Sequence, residues 1–512
     1  MNKILKLVYS NKFFAITTLL IQVGVIAAFI VGVSNNIRFY LLASNFISAV
    51  LILFEVNRHE ETAFKITWIM LIAIIPIFGW FFYIYTHTGI ISHDIMKAQK
   101  IALKKISEFK TDDSEIIKEM DLKNCETSLV KYLSNASGNS VYKNSSVKYY
   151  PIGEDMFTDM LAEIRKAEKF IFLEFFIISQ NSYMWRILEE LLVAKAKSGV
   201  DVRLMYDGMG CIALMPKGYE RELEKKGIKC QIFAPVQPLL STYQNNRDHR
   251  KVIVIDGRCA FSGGINLSDE YINKTVRFGH WKDTGLMVTG EAVCGFTEMF
   301  LTMWCTASAT ANVDFEQFLG ASKNYSVSNA EGYITPYCDS PLDDKPVGRN
   351  SYMDILNTAK KYVFIMTPYF VIDEAIYDAM SYAVTRGVKV RLILPGIPDK
   401  KIPYCLARSY YEDLFKIGVE VYEYTPGFVH AKTTVSDGRR AIVGTINYDY
   451  RSLYLHYECA AYLSEIPEIK DIEDDFIRTL SKCRRVTKAE YEQFPWFYRI
   501  AGRFLRFIAT VI

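Results

Sequence analysis

Almost no net charge separates the 60 Lys and Arg of the 512-residue chain from its 57 Asp and Glu; the formal balance is +3. Binding a run of nucleic-acid phosphates calls for a strong basic excess or a basic stripe. Nucleic acid is therefore not an expected partner. The sequence also has no C-x-x-C pair and no Cys/His group at zinc-ligand spacing among its ten Cys, so no zinc site is expected. Cys259, Cys294 and Cys459 sit inside apolar runs, where Cys behaves as a small hydrophobe. A reduced, cytoplasmic compartment for the main domain fits that usage. Finally, no A-x-A cleavage site follows the first apolar run, which argues against a removable signal peptide.

What the chain has in abundance is apolar sequence: half of it is hydrophobic and 14% is aromatic. Three uncharged runs, at residues 13–33, 39–54 and 66–86, fall in the first hundred residues. A bilayer is crossed by about 20 apolar residues. The runs predict an uncleaved membrane anchor over residues 1–90 with two or three spans. Lys3, Lys6 and Lys12 before it and Lys97, Lys100, Lys104 and Lys105 after it place both flanks in the cytoplasm by the positive-inside tendency. Residues 91–146 are charged and helical in pattern, and predict a solvated linker or an amphipathic collar.

From residue 147 the texture alternates strand and helix, the signature of an α/β fold. It does so twice. Ala167-Glu-Lys-Phe-Ile-Phe-Leu resembles Ala359-Lys-Lys-Tyr-Val-Phe-Ile, Gly199-Val-Asp-Val-Arg-Leu-Met resembles Gly387-Val-Lys-Val-Arg-Leu-Ile, and Gly227-Ile-Lys-Cys resembles Gly418-Val-Glu-Val. The order is the same, and the offsets, counting the motif pair described next, run from 181 to 192 residues. Two homologous lobes are predicted, at 147–321 and 332–482, joined by a polar segment. The first lobe carries an extra stretch at 235–246, a candidate access loop or a plain surface loop.

Each lobe contains H-x-K-x4-D-x6-G-x-x-N: His249, Lys251, Asp256, Gly263 and Asn266 in the first, and His430, Lys432, Asp437, Gly444 and Asn447 in the second. On an extended strand residues two apart share a face, so each His and Lys is presented together. Two such sets predict a composite site on a pseudo-twofold axis. One imidazole attacks and the other moves the proton of the leaving and incoming groups. Lys251, Lys432, Asn266 and Asn447 supply donors for the charge of a phosphoryl transition state. An attacking imidazole needs its other ring nitrogen oriented. Each lobe offers a carboxylate just downstream of its own His, Asp283 in the first and Glu458 in the second. Asp256 and Asp437 precede Gly at a strand end and are assigned to turn structure, not catalysis.

The motifs resemble those of the phospholipase D superfamily, H-x-K-x4-D with a following G-S-x-N, and within it the bacterial cardiolipin synthases. The resemblance rests on Arg247-Asp-His-Arg-Lys251, Asp256-Gly257, Gly263-Gly-Ile-Asn-Leu-Ser-Asp-Glu-Tyr271, Trp281-Lys-Asp283, Thr367-Pro-Tyr-Phe-Val371 and the Ile75-Pro-Ile-Phe-Gly-Trp80 core of the third apolar run. It implies duplicated lobes, each a mixed sheet flanked by helices. It implies a metal-free, cofactor-free transesterification in which one phosphatidylglycerol is attacked by His, glycerol leaves, and a second phosphatidylglycerol captures the phosphatidyl-histidine. The alternative acceptor is water, which would make the protein a phospholipase D-type hydrolase. By similarity His249 is the nucleophile and His430 the acid and base; the residues themselves leave that open. The Ser of G-S-x-N is Gly264 in one lobe, which lacks the hydroxyl, and Thr445 in the other, which keeps it. Glu174 and Tyr369, with Thr445, are candidate substrate-binding residues, although core packing would equally explain Tyr369.

Residues 490–512 space Arg499, Arg503 and Arg506 on one helical face amid apolar residues. That pattern suits an interfacial helix drawn to anionic lipid; packing on the protein's own core is the alternative. Expected partners are phosphatidylglycerol, anionic lipids and the bilayer of the cell membrane, with the lobes on its cytoplasmic face. The oligomeric state stays open.

Overall fold

The computed structural model describes residues 35–87, 90–110, 112–235, 245–308, 313–343, 345–494 and 496–510. The chain divides into two compact units. The larger holds residues 95–235 and 247–502; the other takes described residues from 1–94, 236–246 and 503–512.

The larger unit is built on two sheets. The first lobe contributes β1 (Ser145–Tyr150), β2 (Phe170–Phe175), β3 (Asp201–Asp207), β4 (Lys229–Phe233), β5 (Lys251–Ile255), β6 (Cys259–Gly263), β7 (His280–Lys282) and β8 (Gly285–Gly290). The second contributes β9 (Tyr333–Asp339), β10 (Tyr362–Met366), β11 (Phe370–Val371), β12 (Lys389–Pro395), β13 (Glu420–Tyr424), β14 (Gly427–Val429), β15 (Thr433–Ser436), β16 (Arg440–Gly444), β17 (Tyr448–Asp449), β18 (Glu458–Ser464) and β19 (Cys483–Val486). The first sheet runs β1-β8-β6-β5-β2-β3-β4, and the second β9-β18-β16-β15-β10-β12-β13 with β19 added at the edge. The two orders correspond strand for strand, as the internal repeat predicts. In each, the first three chain-order core strands pair in parallel (β2, β3, β4; β10, β12, β13) and the motif strand pairs antiparallel to the first of them.

Side-chain alternation explains the layers. In β2, Phe170 and Phe172 enter a core shared by both lobes, whereas Ile171, Leu173 and Phe175 enter a core made mostly of the first lobe, to which Phe428 of the second adds its ring. In β10, Phe364 and Met366 enter the shared core, and Val363 and Ile365 the second lobe's own. The helix Val293–Ala307 lies in the shared layer and is buried on nearly every side, which is why its sequence is apolar all round. The segment expected to be a solvated linker is more than that. Its helices Ser114–Leu122 and Ser128–Ser137 bury Met120, Leu129, Val130 and Leu133 in the second lobe's core.

Asp256 and Asp437 do what the turn reading requires, and more. Both adopt positive φ, 56° and 57°, followed by Gly257 and Gly438 at 67°. The Asp256 carboxylate accepts from the backbone N–H groups of Glu168, Lys169 and Phe170, each at 2.8 Å. Asp437 accepts from Lys360, Lys361 and Tyr362 at 2.8, 2.8 and 3.0 Å. Each Asp thus staples the end of the motif strand to the start of its neighbour.

In the other unit, the expected span at 66–86 is not one helix. It breaks into Thr62–Ile74 and Pro76–His87. Pro76 has no N–H for the helical ladder, so the chain turns there. Gly79 then lies so close to the backbone of Leu71 and Ile72 that a Cβ would come within 2.5 Å of the Leu71 carbonyl. The 39–54 run forms the middle of the helix Asn35–Asn57. Among the described residues no helix is long and apolar enough to cross a membrane. The 13–33 run lies outside the described residues, as do residues 236–244 of the insertion in the first lobe. The helix Asn35–Asn57 exposes Phe39, Leu42, Phe46, Val50 and Leu53, spaced three and four apart along one face. The tail helix Trp496–Leu505 exposes Trp496, Ile500 and Phe504 in the same way.

Candidate active site

The motif His and Lys residues of both lobes come together in the larger unit, and they and the motif Asn residues are buried. Strand β5 begins at Lys251 and β15 directly after Lys432, so each His sits just ahead of its motif strand. Two parallel interlobe contacts hold these lead-in segments. Asp248 bridges to Tyr457, and β14 pairs with β7. The His249 N–H donates to the Tyr457 carbonyl at 2.9 Å, and the His430 N–H to the Lys282 carbonyl at 2.7 Å.

These backbone bonds decide which carboxylate meets which imidazole. Glu458 follows Tyr457, and its Oε1 and Oε2 lie 2.9 and 3.0 Å from His249 Nδ1. Asp283 follows Lys282, and its Oδ2 lies 2.6 Å from His430 Nδ1. The expectation that each lobe serves its own His is therefore corrected: the carboxylates are exchanged between lobes. Asp283 partners His430, and Glu458 partners His249. The reason is geometric, because each His is strapped to the other lobe's strand one residue before that strand's carboxylate.

Burial controls the charge states. It pushes the His249 imidazole down to about 3 against the pull of Glu458, and His430 down to about 4. Burial alone would raise Glu458, but His249 and then His456 hold it well below the usual carboxylate range. Burial likewise acts to raise Asp283 and is outweighed by His430 and Lys432. Each pair is thus a neutral imidazole on an ionised carboxylate. Nδ1 carries the proton and Nε2 keeps a lone pair. Burial also lowers Lys251 to about 8 and Lys432 to about 7. Two weakly held ammonium groups in a dry site are suited to a phosphodiester anion.

The two halves are not identical. Each Lys bonds the carbonyl of its own His, but Lys432 Nζ also lies 2.9 and 3.1 Å from His430 Nδ1 and Nε2, whereas Lys251 Nζ stands over the Phe176 ring. Thr445 keeps the hydroxyl expected of it, donating to Glu458 Oε2 while accepting from Cys459 N–H at 3.0 Å. Gly264 is glycine for a reason: a Cβ there would stand 2.0 Å from Asp283 Oδ1. Asn266 accepts from Ile177 N–H at 3.0 Å and donates to the Tyr271 hydroxyl at 2.7 Å, so part of its donor capacity is already committed. The Asn447 Oδ1 is buried without a hydrogen-bond partner.

Of the candidate substrate-binding residues, Glu174 is fully buried. It follows Phe170 and Phe172 on the same face of β2, and so points into the layer between the lobes. Arg250 Nη1 is 3.8 Å away. Burial, and then the charge of Asp248, push its carboxyl well above the ordinary range. The second lobe has Met366, Val429 and Ala431 at the positions of Glu174, Asp248 and Arg250, so this buried charge belongs to one lobe alone. Tyr369 is half-buried and donates to Asp399 Oδ2 at 2.5 Å.

Other residues at the site carried no assignment from sequence. Phe176 meets the His249 ring edge-on at 4.9 Å. Tyr271 does the same to His430 at 5.4 Å. His456 and Trp281 lie against His249 and His430, with ring centroids 5.4 and 5.3 Å apart and similar tilts of 41° and 43°. His456 and Trp281 each precede their carboxylate by two residues, so the internal repeat contained the signal that would have found them.

A family model described as cardiolipin synthase, phospholipase D-like domain matches residues 160–295 and 352–480. The chain belongs to the cardiolipin synthase family of the phospholipase D superfamily. A second model, the phospholipase D-nuclease N-terminal region, matches residues 43–85. The chain is 31% identical over 510 residues to a cardiolipin synthase of Alkalihalophilus pseudofirmus, covering 98% of each chain. It is 44% identical over 462 residues to an uncharacterized protein of Streptococcus mutans, covering 90% of this chain and 99% of that one. The crystal structure of phosphatidylserine synthase from Haemophilus influenzae superposes with a TM-score of 0.53 at 14% identity, covering 72% of this chain and 95% of that one. At that identity the likeness concerns the fold alone, and it supports the duplicated α/β lobes.

Proposed function

We propose that the protein transfers a phosphatidyl group from one phosphatidylglycerol to the hydroxyl of another, forming cardiolipin and glycerol. The observation that carries this reading is the pair of exchanged imidazole–carboxylate contacts. They give one site two neutral imidazoles, each with its proton fixed on Nδ1. His249 Nε2 attacks phosphorus and the P–N bond forms as the bond to glycerol oxygen breaks. His430, neutral in the free protein, is protonated on Nε2 when the phosphodiester anion binds beside it, and this imidazolium passes its proton to the departing glycerol oxygen. The second phosphatidylglycerol then gives its hydroxyl proton to His430 and attacks phosphorus, and the bond to His249 breaks. Lys251 and Lys432 balance the charge on the non-bridging oxygens. The division of labour is supported by Lys432, which stands against both ring nitrogens of His430, while Lys251 makes no such contact with the His249 ring.

The reaction takes place at a bilayer. That part of the reading is supported by the apolar faces of Asn35–Asn57 and Trp496–Leu505, together with the uncharged 13–33 run. The lobes stand on the cytoplasmic side, by the Lys residues on both flanks of the anchor.

Purified protein in phosphatidylglycerol vesicles, followed by lipid mass spectrometry, tests the proposal. Cardiolipin with an equal amount of glycerol is expected, and none from His249→Ala or His430→Ala. Phosphatidic acid as the main product would make water the acceptor and overturn the transferase. Near-normal turnover in either His variant would overturn the composite site.

A further inference from the structure

His456 is absent from the mechanism above, yet its imidazole is turned toward the same carboxylate that holds His249. Glu458 Oε1 lies 2.9 Å from His249 Nδ1 and 3.6 Å from His456 Nδ1. The His456 side chain is nine-tenths buried, and its Nδ1 has no hydrogen-bond partner. One ligand atom from each of His249, His456 and Glu458 lies within 4.8 Å of the other two. An unusual backbone turn delivers the third ligand. Arg451–Leu455 is a π-helical turn, and His456 N–H closes it on the Arg451 carbonyl at 2.9 Å. Such turns are rare and frequently lie at functional sites.

We propose that His249, His456 and Glu458 form a binding site for a first-row divalent metal ion of the zinc type, and that the ion inhibits the enzyme by holding the attacking imidazole through its Nδ1, withdrawing electron density from Nε2 and taking over the Glu458 carboxylate. Two imidazoles and one carboxylate are the donor set of open, three-ligand zinc sites. Ligand atoms around tetrahedral zinc stand roughly 3.3 Å apart, given bond lengths near 2.0–2.1 Å. Two of the spacings quoted already match, and the widest gap closes by about 1.5 Å. Magnesium and calcium prefer oxygen ligands and are not expected to compete. The ion replaces the proton on His249 Nδ1, which passes to buffer. Lys251 faces the same space and opposes the incoming charge, so the ion binds reversibly and a chelator removes it. The mirror position in the other half is occupied by Trp281, which offers no ligand nitrogen, and His430 with Asp283 therefore lacks the third donor. The metal site rests on these contacts. Only the inhibition rests on the reading of His249 as the nucleophile.

The test has two independent readouts on the purified full-length protein. Co2+ added without lipid should give the visible absorption of a low-coordinate cobalt site at one ion per chain. The band should be lost, or the affinity weakened at least about ten-fold, in both His456→Asn and Glu458→Gln. His59→Asn, at an exposed position, should keep it. In the vesicle assay Zn2+ should inhibit wild type, EDTA should reverse the inhibition and Mg2+ should have no effect. His456→Asn, compared with its own metal-free rate, should resist Zn2+. A Co2+ band that survives in both ligand variants, or no band in wild type, overturns the site whether or not the protein makes cardiolipin. A wild-type band with unimpaired turnover in Zn2+ overturns the inhibition.

Discussion

Glu458→Gln isolates the consequence of exchanging carboxylates between lobes. The substitution keeps volume and shape in a fully buried position and removes only the charge. Thr445 donates to Glu458 Oε2, so the amide settles with its carbonyl there and turns its NH2 group toward His249 Nδ1. A donor facing Nδ1 makes that nitrogen the acceptor and moves the imidazole proton to Nε2, where the attacking lone pair should be. The analogous change in a buried imidazole–carboxylate pair costs about 10⁴-fold in turnover, or roughly 5.5 kcal/mol of barrier. We expect a loss of about 10³- to 10⁴-fold here. The step affected can be read with a phosphatidyl ester of p-nitrophenol, whose leaving group departs without a proton. Stopped-flow absorbance of nitrophenolate then reports attack alone. Glu458→Gln and His249→Ala should both lose the burst. Asp283→Asn and His430→Ala should keep it and fail only at the transfer that follows. If His249→Ala grouped with Asp283→Asn, the exchange of carboxylates between lobes would be refuted.

Two further outcomes follow from the geometry. Asp256→Ala leaves three backbone N–H groups without their acceptor and should destabilise the protein by about 2–4 kcal/mol, seen as a lower denaturation midpoint at unchanged slope, with activity per folded molecule retained. The pH profile should have two limbs. Lys432 and Lys251, lowered to about 7 and about 8, lose their charge as pH rises, so kcat/KM should fall above about pH 7, while kcat holds to higher pH because the bound phosphodiester keeps them protonated. On the acid side both histidines stay neutral in the folded protein down to about 4 and about 3, whereas an unfolded His takes up its proton near 6.5. The unfolded chain therefore binds protons first, and stability should decline as pH falls from about 6.5 toward 4. A calorimetric stability that is flat over that interval would contradict the buried, neutral imidazoles.

Much of the fold was legible because the sequence says it twice. The repeated Gly-strand segments and the two H-x-K-x4-D runs give both sheets their shared strand order. The turn role of Asp256 and Asp437 could be read from the Gly that follows each. The pairing of carboxylate with imidazole could not. Spacing along the chain says that Asp283 is near His249 in sequence, but only the lobe–lobe contact reveals that it faces His430. Glu174 was legible in principle, since period-two alternation groups it with Phe170 and Phe172; its polarity suggested a substrate contact and outweighed that parity. The 66–86 run matched a bilayer by length, but Pro76 divides it, and a hydropathy count does not weigh a missing N–H. His456 and Trp281 stand at matching places in the repeat, two residues before each carboxylate, but a His in one copy and a Trp in the other do not look like a pair until their rings are seen lying on the two imidazoles.

The exchange of carboxylates has a consequence for how such a duplicated protein can change. A lobe that lost its Asp or Glu would leave its own imidazole intact and disable its twin's. Neither half can decay while the other stays whole, so a defect in one cannot be sheltered by redundancy. Divergence is pushed into positions that flank the shared contacts without making them, such as Gly264 against Thr445 and Trp281 against His456. Two copies that began alike can acquire unequal tasks there, one imidazole at a time.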